Sequence, residues 1–439
     1  MLNKRYVAHL VIEAKSPLKI GGNDIDMLQD SPIQKDWNGL PMILGTSIAG
    51  VLRKSFDKVQ ANEIFGDEES RKKDAKGSRV VISNALLCDE NMQVHETLVL
   101  RESVFLQTYE NLPVREHVKI TSKGVADVKQ QGKFDEEVVF KGSRFVFRME
   151  LLSDREGDSA WDSLLEKLQT ESFRLGGGST KGFGEISIVK EHSNYALYDV
   201  TQKEYADKSA SLNTLYAEAL PVKTCNDERY YRYSLQIEPD DFFRFGSGFG
   251  DDDADDIPVT EKTVVWENGK GSFSNEHILM PASSLKGALA HRAVYHYNLT
   301  KGNYAGEGDA VENLSSIFGE KKEDEIHSGA KGRLLLSDVY QADRNESKLF
   351  DHVSIDRFTG GGIDSALFNE KTVAQKEKWQ IEILLEKDVD TMQREAFESA
   401  LKDLCSGMLP LGGATTKGHG VFTGSLKRDN EVLYEGGAE

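Results

Sequence analysis

The sequence predicts an α+β fold built twice, each half running strand, helix, strand, strand, helix, strand. Three observations predict it. Short motifs recur in the same order between 226 and 254 residues apart. Runs of alternating apolar and polar residues open both halves, as half-buried strands do. A glycine-rich loop precedes the last strand of each half.

The repeat is clearest at that loop. LGGGSTKGFGEISI from Leu175 and LGGATTKGHGVFTG from Leu411 differ over their first eight positions only by Gly/Ala and Ser/Thr. Five further pairs stay in order: LGTSIAGVLRKSF (44–56) with PASSLKGALAHRA (281–293), IFG (64–66) with IFG (317–319), SRVVISNA (78–85) with GRLLLSDV (332–339), EHVKIT (116–121) with DHVSID (351–356), and DSPI (30–33) with DIPV (256–259). One short match would be chance; six in register indicate internal duplication. The expected boundaries are 1–195 for the first domain, 196–228 for a linker and 229–439 for the second domain.

Each element follows from its pattern. RYVAHLVIEA and YYRYSLQIEP open the halves as strands. Ile48, Val51, Leu52, Ser55, Phe56 and Val59 share one face of a helix, with Ser47 as a plausible N-cap and Ser283 or Ser284 in its place in the second half. SRVVISNA and GRLLLSDV read as second strands, SRFVFRMEL and KWQIEILLE as third strands. A second helix carries Trp161, Leu164, Leu165 and Leu168, or Met392, Phe397, Leu401 and Leu404. GEISI and GVFTG close the halves. This βαββαβ order is that of the ferredoxin-like, RRM-like fold. Between the central strands lies a polar segment of roughly 30 residues, an insertion longer than a compact domain needs.

Composition sets the frame. The 439 residues suit two or three domains, with 38% hydrophobic and 29% charged residues. No apolar run is long enough to span a bilayer, and the N-terminus lacks a signal-peptide core. Cys88, Cys225 and Cys405 are far apart and form no C-x-x-C, so neither a disulfide framework nor a zinc site is indicated; a reducing, cytoplasmic setting is expected. The formal net charge is −19, divided as −4 over residues 1–200 and −15 over 201–439. Free nucleic-acid binding usually comes with concentrated Lys and Arg, so any such binding requires clustered cations or partner subunits.

The glycine loop fits neither a Walker A motif, because Lys181 precedes Gly182 and no Ser or Thr follows, nor a dinucleotide fingerprint, because it follows the last helix. A tight turn would explain Gly177 and Gly178, but a turn does not need Lys181 and Lys417 at the same place twice. With Thr180 and Thr416 they are candidate phosphate contacts. Ser283, Ser284 and Lys286 stand at a helix start, where an anion is favoured. Ordinary capping explains the serines but not the lysine, which is expected to have an anionic partner. The first half has Ser47 there, with Arg53 a turn later. His117 and His352 align inside the insertions, where they contact RNA or simply pack. Asp30 and Asp256 each stand two residues before a proline in loops between first strand and first helix. A carboxylate beside phosphate-binding groups is repulsive unless a metal bridges them or it acts on a hydroxyl.

These motifs resemble the RAMP superfamily of CRISPR proteins. G-G-x-x-[ST]-K-G-x-G near the end of each half, P-x-S-S-L-K-G-x-L at a helix start, GGNDIDMLQDSPIQKDWNGLPMILGTSIAGVLR and VSIDRFTGGGIDSALFNEKTV (353–373) are similar to the backbone subunit of type III (Csm/Cmr-like) effector complexes, here fused in tandem as in type III-D-like systems. The resemblance implies a guide RNA held by its phosphates along the palm faces, and other RAMP subunits as partners. It also implies thumb hairpins at about 117–142 and 352–373 that splay the guide–target duplex. Beside each splayed nucleotide a loop aspartate, Asp30 or Asp256, supports cleavage of complementary target RNA with a divalent metal, Mg²⁺ or Mn²⁺. The 2′-OH attacks and leaves a 2′,3′-cyclic phosphate. Lys119 and Arg357 join the implied RNA contacts. The first half lacks the helix-start lysine and its thumb motif is eroded, so one of the two sites is a candidate for inactivity, and in the acidic run 251–256 Asp252, Asp253 or Asp255 is an alternative to Asp256 as the second catalytic aspartate. Alternative readings are a non-catalytic guide-RNA scaffold, a guide-processing ribonuclease using histidine without metal, and a module binding a small metabolite.

Overall fold

A computed structural model describes residues 2–22, 32–67, 75–98, 103–118, 120, 133–221, 225–303, 313–320, 329–344, 346–374 and 376–436. It is a mixed α/β protein with more strand than helix. Two large sheets each back their own apolar core, one around Leu10, Phe147 and Leu164 and the other around Tyr233, Ile383 and Phe397.

The two sheets share one strand order. In the first, Lys4–Ala14 lies between Arg144–Ser153 and Ile186–Ile188, and Val80–Ile82 pairs with the outer side of Arg144–Ser153. In the second, Tyr230–Pro239 lies between Trp379–Glu386 and Phe422–Arg428, and Leu334–Leu336 pairs outside Trp379–Glu386. Numbered within its half, each sheet therefore runs fourth, first, third, second, all antiparallel. The strand Asn194–Asp199 also pairs with Lys4–His9, so the first sheet continues into the segment expected to be a linker.

The helix starts differ from the sequence reading. The first helix is Gly45–Lys54, and Asn84, not Ser47, accepts the amide of Gly45 at 2.9 Å. Its counterpart, Ala282–Thr300, is capped by Asp338, which accepts the amide of Ala282 at 2.7 Å. Ser47, Ser283 and Ser284 thus keep their hydroxyls out of capping. The first helix also stops at Lys54, and Asp57 starts a second one, Lys58–Phe65. Ile48 and Leu52 are buried as expected, but Val59 sits on the new axis and is 78% exposed.

Two features lock the halves together. The hairpin Val264–Glu267/Lys270–Phe273 of the second half packs into the first core, with the Trp266 indole donating to the carbonyl of Gly142 at 2.8 Å. Arg115, on the first half's inserted hairpin, reaches Glu261, Asp338 and Tyr340 of the second half and is 5% exposed.

The insertions form two hairpins, Val114–Val118/Lys133–Glu137 and Ser347–Ile355/Gly362–Val373. The second exposes Val353, Ile355 and Leu367, and at its tip Phe358 is 99% exposed.

Candidate nucleic-acid interface

The glycine loops are anchored by equivalent bonds. Gly177 donates its amide to the carbonyl of Lys19, and Gly413 to that of Arg244, both at 2.8 Å. Gly184 donates to Pro17 at 2.9 Å and Gly420 to Phe242 at 2.8 Å. Gly176 and Gly412 have φ of +83° and +87°, and a Cβ on either would run into the carbonyl oxygen of Lys19 or Arg244. Glycine is required there for conformation and for close approach to the exit of the opening strand. The tight-turn explanation therefore holds for the glycines and leaves the lysines free for another role.

In the first half, Lys181 lies 3.4 Å from Glu136 Oε1 and over the ring of Phe134, 4.8 Å from its centroid. Lys19 pairs with the same carboxylate. His117 stacks on Phe134 with centroids 5.0 Å apart, and its Nε2 is 3.1 Å from Glu136 Oε2 without hydrogen-bond alignment. Burial raises the Glu136 carboxyl, but His117, Lys19 and Lys181 outweigh it and hold it at about 2.

The second half repeats this arrangement. Lys417 lies 3.9 Å from Glu370 Oε1 and 5.1 Å from the centroid of Phe368. His352 stacks on Phe368 at 4.8 Å and pairs with Glu370 Oε1 at 2.7 Å. Arg244, aligned with Lys19 by the bonds above, contacts Glu370 Oε2 at 2.9 Å. Here too burial raises the carboxyl while His352, Arg244 and Lys417 hold it below the usual carboxylate range. Sequence reasoning missed Glu136, Glu370, Phe134, Phe368, Lys19 and Arg244. The available signal was FDEEVV (134–139) against FNEKTV (368–373), and LKIGG (18–22) against FRFGS (243–247).

A third cluster spans the halves. Lys286 Nζ donates to Thr180 Oγ1 at 3.3 Å. The expected anionic partner of Lys286 is not found: among the described residues no carboxylate pairs with it. Burial first, and then the charge of Lys181, push its ammonium down to about 8. Nearby, His117 and Val118 of the first half share a groove of about 560 Å³ with Ser283, Ser284 and Gly413 of the second.

The other expected contacts are scattered. Arg53 donates to the carbonyl of Gly66 at 2.8 Å and to Asn62 at 2.6 Å. Ser47, Thr416 and Arg357 are exposed, Arg357 at the tip of the second hairpin. Asp30 and Lys119 lie outside the described residues.

Asp256 sits 2.5 Å from Arg244 Nη1. Burial raises its carboxyl and Glu370 adds to that, against the opposing pull of Arg244. The backbone register revises the loop alignment by one residue. Gly22 donates to the carbonyl of Pro32 as Ser247 does to that of Ile257, and Gln34 to that of Ile20 as Val259 does to that of Phe245. Counted from these anchors, Asp30 corresponds to Asp255, and Asp256 to Ser31. Asp255 is exposed, and its carboxylate accepts the amide of Asn369 on the second hairpin at 2.9 Å.

No group of three or more His, Cys, Asp or Glu among the described residues is placed to hold a metal ion. Among those residues, no helix is long and apolar enough to cross a membrane.

Comparison with known proteins accords with the repeated geometry. The model of the RAMP superfamily matches residues 11–187 and 269–423. No curated protein matches. Among solved structures, a chain of the cryo-EM structure of the Type III-B Cmr-beta bound to cognate target RNA is 17% identical. That match covers 45% of this chain and 62% of the other, with a TM-score of 0.31, too loose to carry an argument. The family match rests on most of the chain and on both halves of the repeat: the chain belongs to the RAMP superfamily.

Proposed function

We propose that this chain is a backbone subunit of a type III CRISPR ribonucleoprotein, made of two tandem ferredoxin-like RAMP domains. It binds guide RNA along both palm faces, assembles with other RAMP subunits, and cleaves complementary target RNA beside a loop aspartate in each half. The observation that carries RNA binding is Lys286 beside Lys181: two cations converge at the junction of the halves, and no carboxylate among the described residues pairs with Lys286. Such a pair is stabilised by an anion, and the surrounding hydroxyl of Thr180 and the helix start at Ser283 and Ser284 suit phosphate. Ser283, Ser284 and Gly287, on the helix that carries Lys286, line the groove, and this local clustering of cations is what reconciles the net charge of −19 with RNA binding.

For cleavage, the loop supplies carboxylates and the hairpins supply the apolar surface that separates bases. Mg²⁺ is typically held by one or two carboxylates together with substrate phosphates and water, so the acidic loop fits the ion without a three-ligand cluster. When bound, the ion stabilises charge developing on the phosphate. The chain's own part is to present Asp30 and, by the ladder count, Asp255 to the ribose–phosphate link; Asp256, the partner read from the sequence, is paired with Arg244. A reading as a non-catalytic scaffold is favoured for the second half alone if Asp256 is the only relevant carboxylate. The test is a guide-matched RNA incubated with the assembled particle. Cleavage should require divalent metal, spare DNA, which lacks the 2′-OH, and stop when the loop carboxylates are neutralised. Undiminished cutting in excess chelator would contradict the proposal.

A further inference from the structure

The strongest feature outside the expected site is the buried glutamate that the two halves share. Glu136 and Glu370 are 4% and 2% exposed, and each gathers three basic side chains, two of them Lys or Arg and one a histidine, from three different elements. One comes from the exit of the opening strand (Lys19, Arg244), one from the hairpin (His117, His352) and one from the glycine loop (Lys181, Lys417). The aromatic neighbour is shared too: Phe134 or Phe368 stacks on the histidine and underlies the lysine. The same geometry in two halves of divergent sequence indicates a retained device rather than a chance surface contact.

We propose that Glu136 and Glu370 are positioning residues that fasten each hairpin to its palm and aim Lys181 and Lys417 at the RNA backbone. This rests on the reading that those lysines bind phosphate. Lysine is a flexible point charge, and confinement between a carboxylate and a ring face restricts its head group to a small volume, which lowers the ordering cost when phosphate arrives. Lys181 and Lys417 remain about two-fifths exposed, at 38% and 43% of the side chain, so each can reach a ligand while its stem stays held. In the second half the device extends further, because Arg244 joins Glu370 to Asp256 and so connects the hairpin base to the acidic loop.

The sign of one measurement separates this role from simple charge. Removing a carboxylate near a phosphate site should tighten RNA binding if only Coulomb repulsion matters. A positioning role predicts the opposite. Binding of a labelled single-stranded RNA oligonucleotide to the full chain is measured for Glu370→Gln and, independently in the other half, Glu136→Gln. Each is expected to weaken binding about three- to tenfold, the scale of one lost ordinary hydrogen bond. Adding Glu370→Gln to Lys417→Ala should cost clearly less than Glu370→Gln costs alone, since the aiming of Lys417 is then already lost. Tighter binding by both glutamine variants, or full additivity with the lysine change, would overturn the inference. If Lys181→Ala and Lys417→Ala themselves leave affinity unchanged, the phosphate reading fails instead.

Discussion

Arg115 offers the most direct perturbation of the junction between the halves. Its guanidinium makes a two-pronged contact with Glu261, reaches Asp338 Oδ2 at 3.1 Å and donates to the Tyr340 hydroxyl at 3.2 Å. The side chains of Glu261 and Asp338 are 6% and 1% exposed, so water cannot replace the cation. Burial already raises the Asp338 carboxyl, with Arg115 and the Ala282 amide pulling the other way. Arg115→Ala leaves two buried carboxylates facing each other, and breaking a buried pair in this way costs about 3–5 kcal/mol. A neutral set of similar shape, Arg115→Met with Glu261→Gln and Asp338→Asn, should cost about 1 kcal/mol or less, because nothing charged is stranded and the new side-chain amide would keep an oxygen for the Ala282 amide. Urea unfolding monitored by tryptophan fluorescence reads this well, since Trp266 lies in the interlocking hairpin. The single variant should shift or split the transition, and the triple variant should restore it. A loss below about 1 kcal/mol for Arg115→Ala, the size of an exposed ion pair, would refute the docking described for the two halves.

Three other outcomes follow from the same geometry. With its ammonium lowered to about 8, Lys286 loses its proton above that pH, so RNA affinity should fall between pH 7 and 9.5, and Lys286→Met should both weaken binding and flatten that profile. For Glu136, whose folded value is about 2 against roughly 4.3 unfolded, the stabilisation is present above pH 5 and disappears as pH falls towards 2; it amounts to about 2–3 kcal/mol, and Glu136→Gln should abolish that part of acid unfolding. Gly412→Ala places a Cβ against the Arg244 carbonyl at φ +87°, and a melting experiment should show a loss of about 2 kcal/mol or more, whereas Gly287→Ala on the open face of its helix should be neutral or stabilising.

The duplication was legible because both copies of the glycine loop obey the same local constraint. Gly176 and Gly412 press against a backbone carbonyl, so neither position tolerates a side chain and the motif survives in both halves. The helix starts were misread for the opposite reason. Their caps, Asn84 and Asp338, come from the short links that follow the strands Val80–Ile82 and Leu334–Leu336, and no window around Ser47 or Ser283 contains them. Val59 continued the apolar spacing of the first helix by coincidence, since Asp57 restarts the chain on another axis. The loop register slipped by one because Pro32 and Pro258 align by type, while the hydrogen bonds pair Pro32 with Ile257. Glu136 and Glu370 were invisible as functional groups: a glutamate in a polar strand gains its role only when three elements fold around it.

The central claim is that a carboxylate in each half cuts the same RNA at a separate place. It is tested by resolving, on a sequencing gel, the products of a guide-matched RNA cleaved by the assembled particle. Two cuts should depend on this chain, Asp30→Asn removing one and Asp255→Asn the other, and at each cut the fragment on the 5′ side should end in a 2′,3′-cyclic phosphate while the next begins with a free 5′-OH. Retention of both cuts in a variant lacking Asp30, Asp255 and Asp256 together would contradict the account.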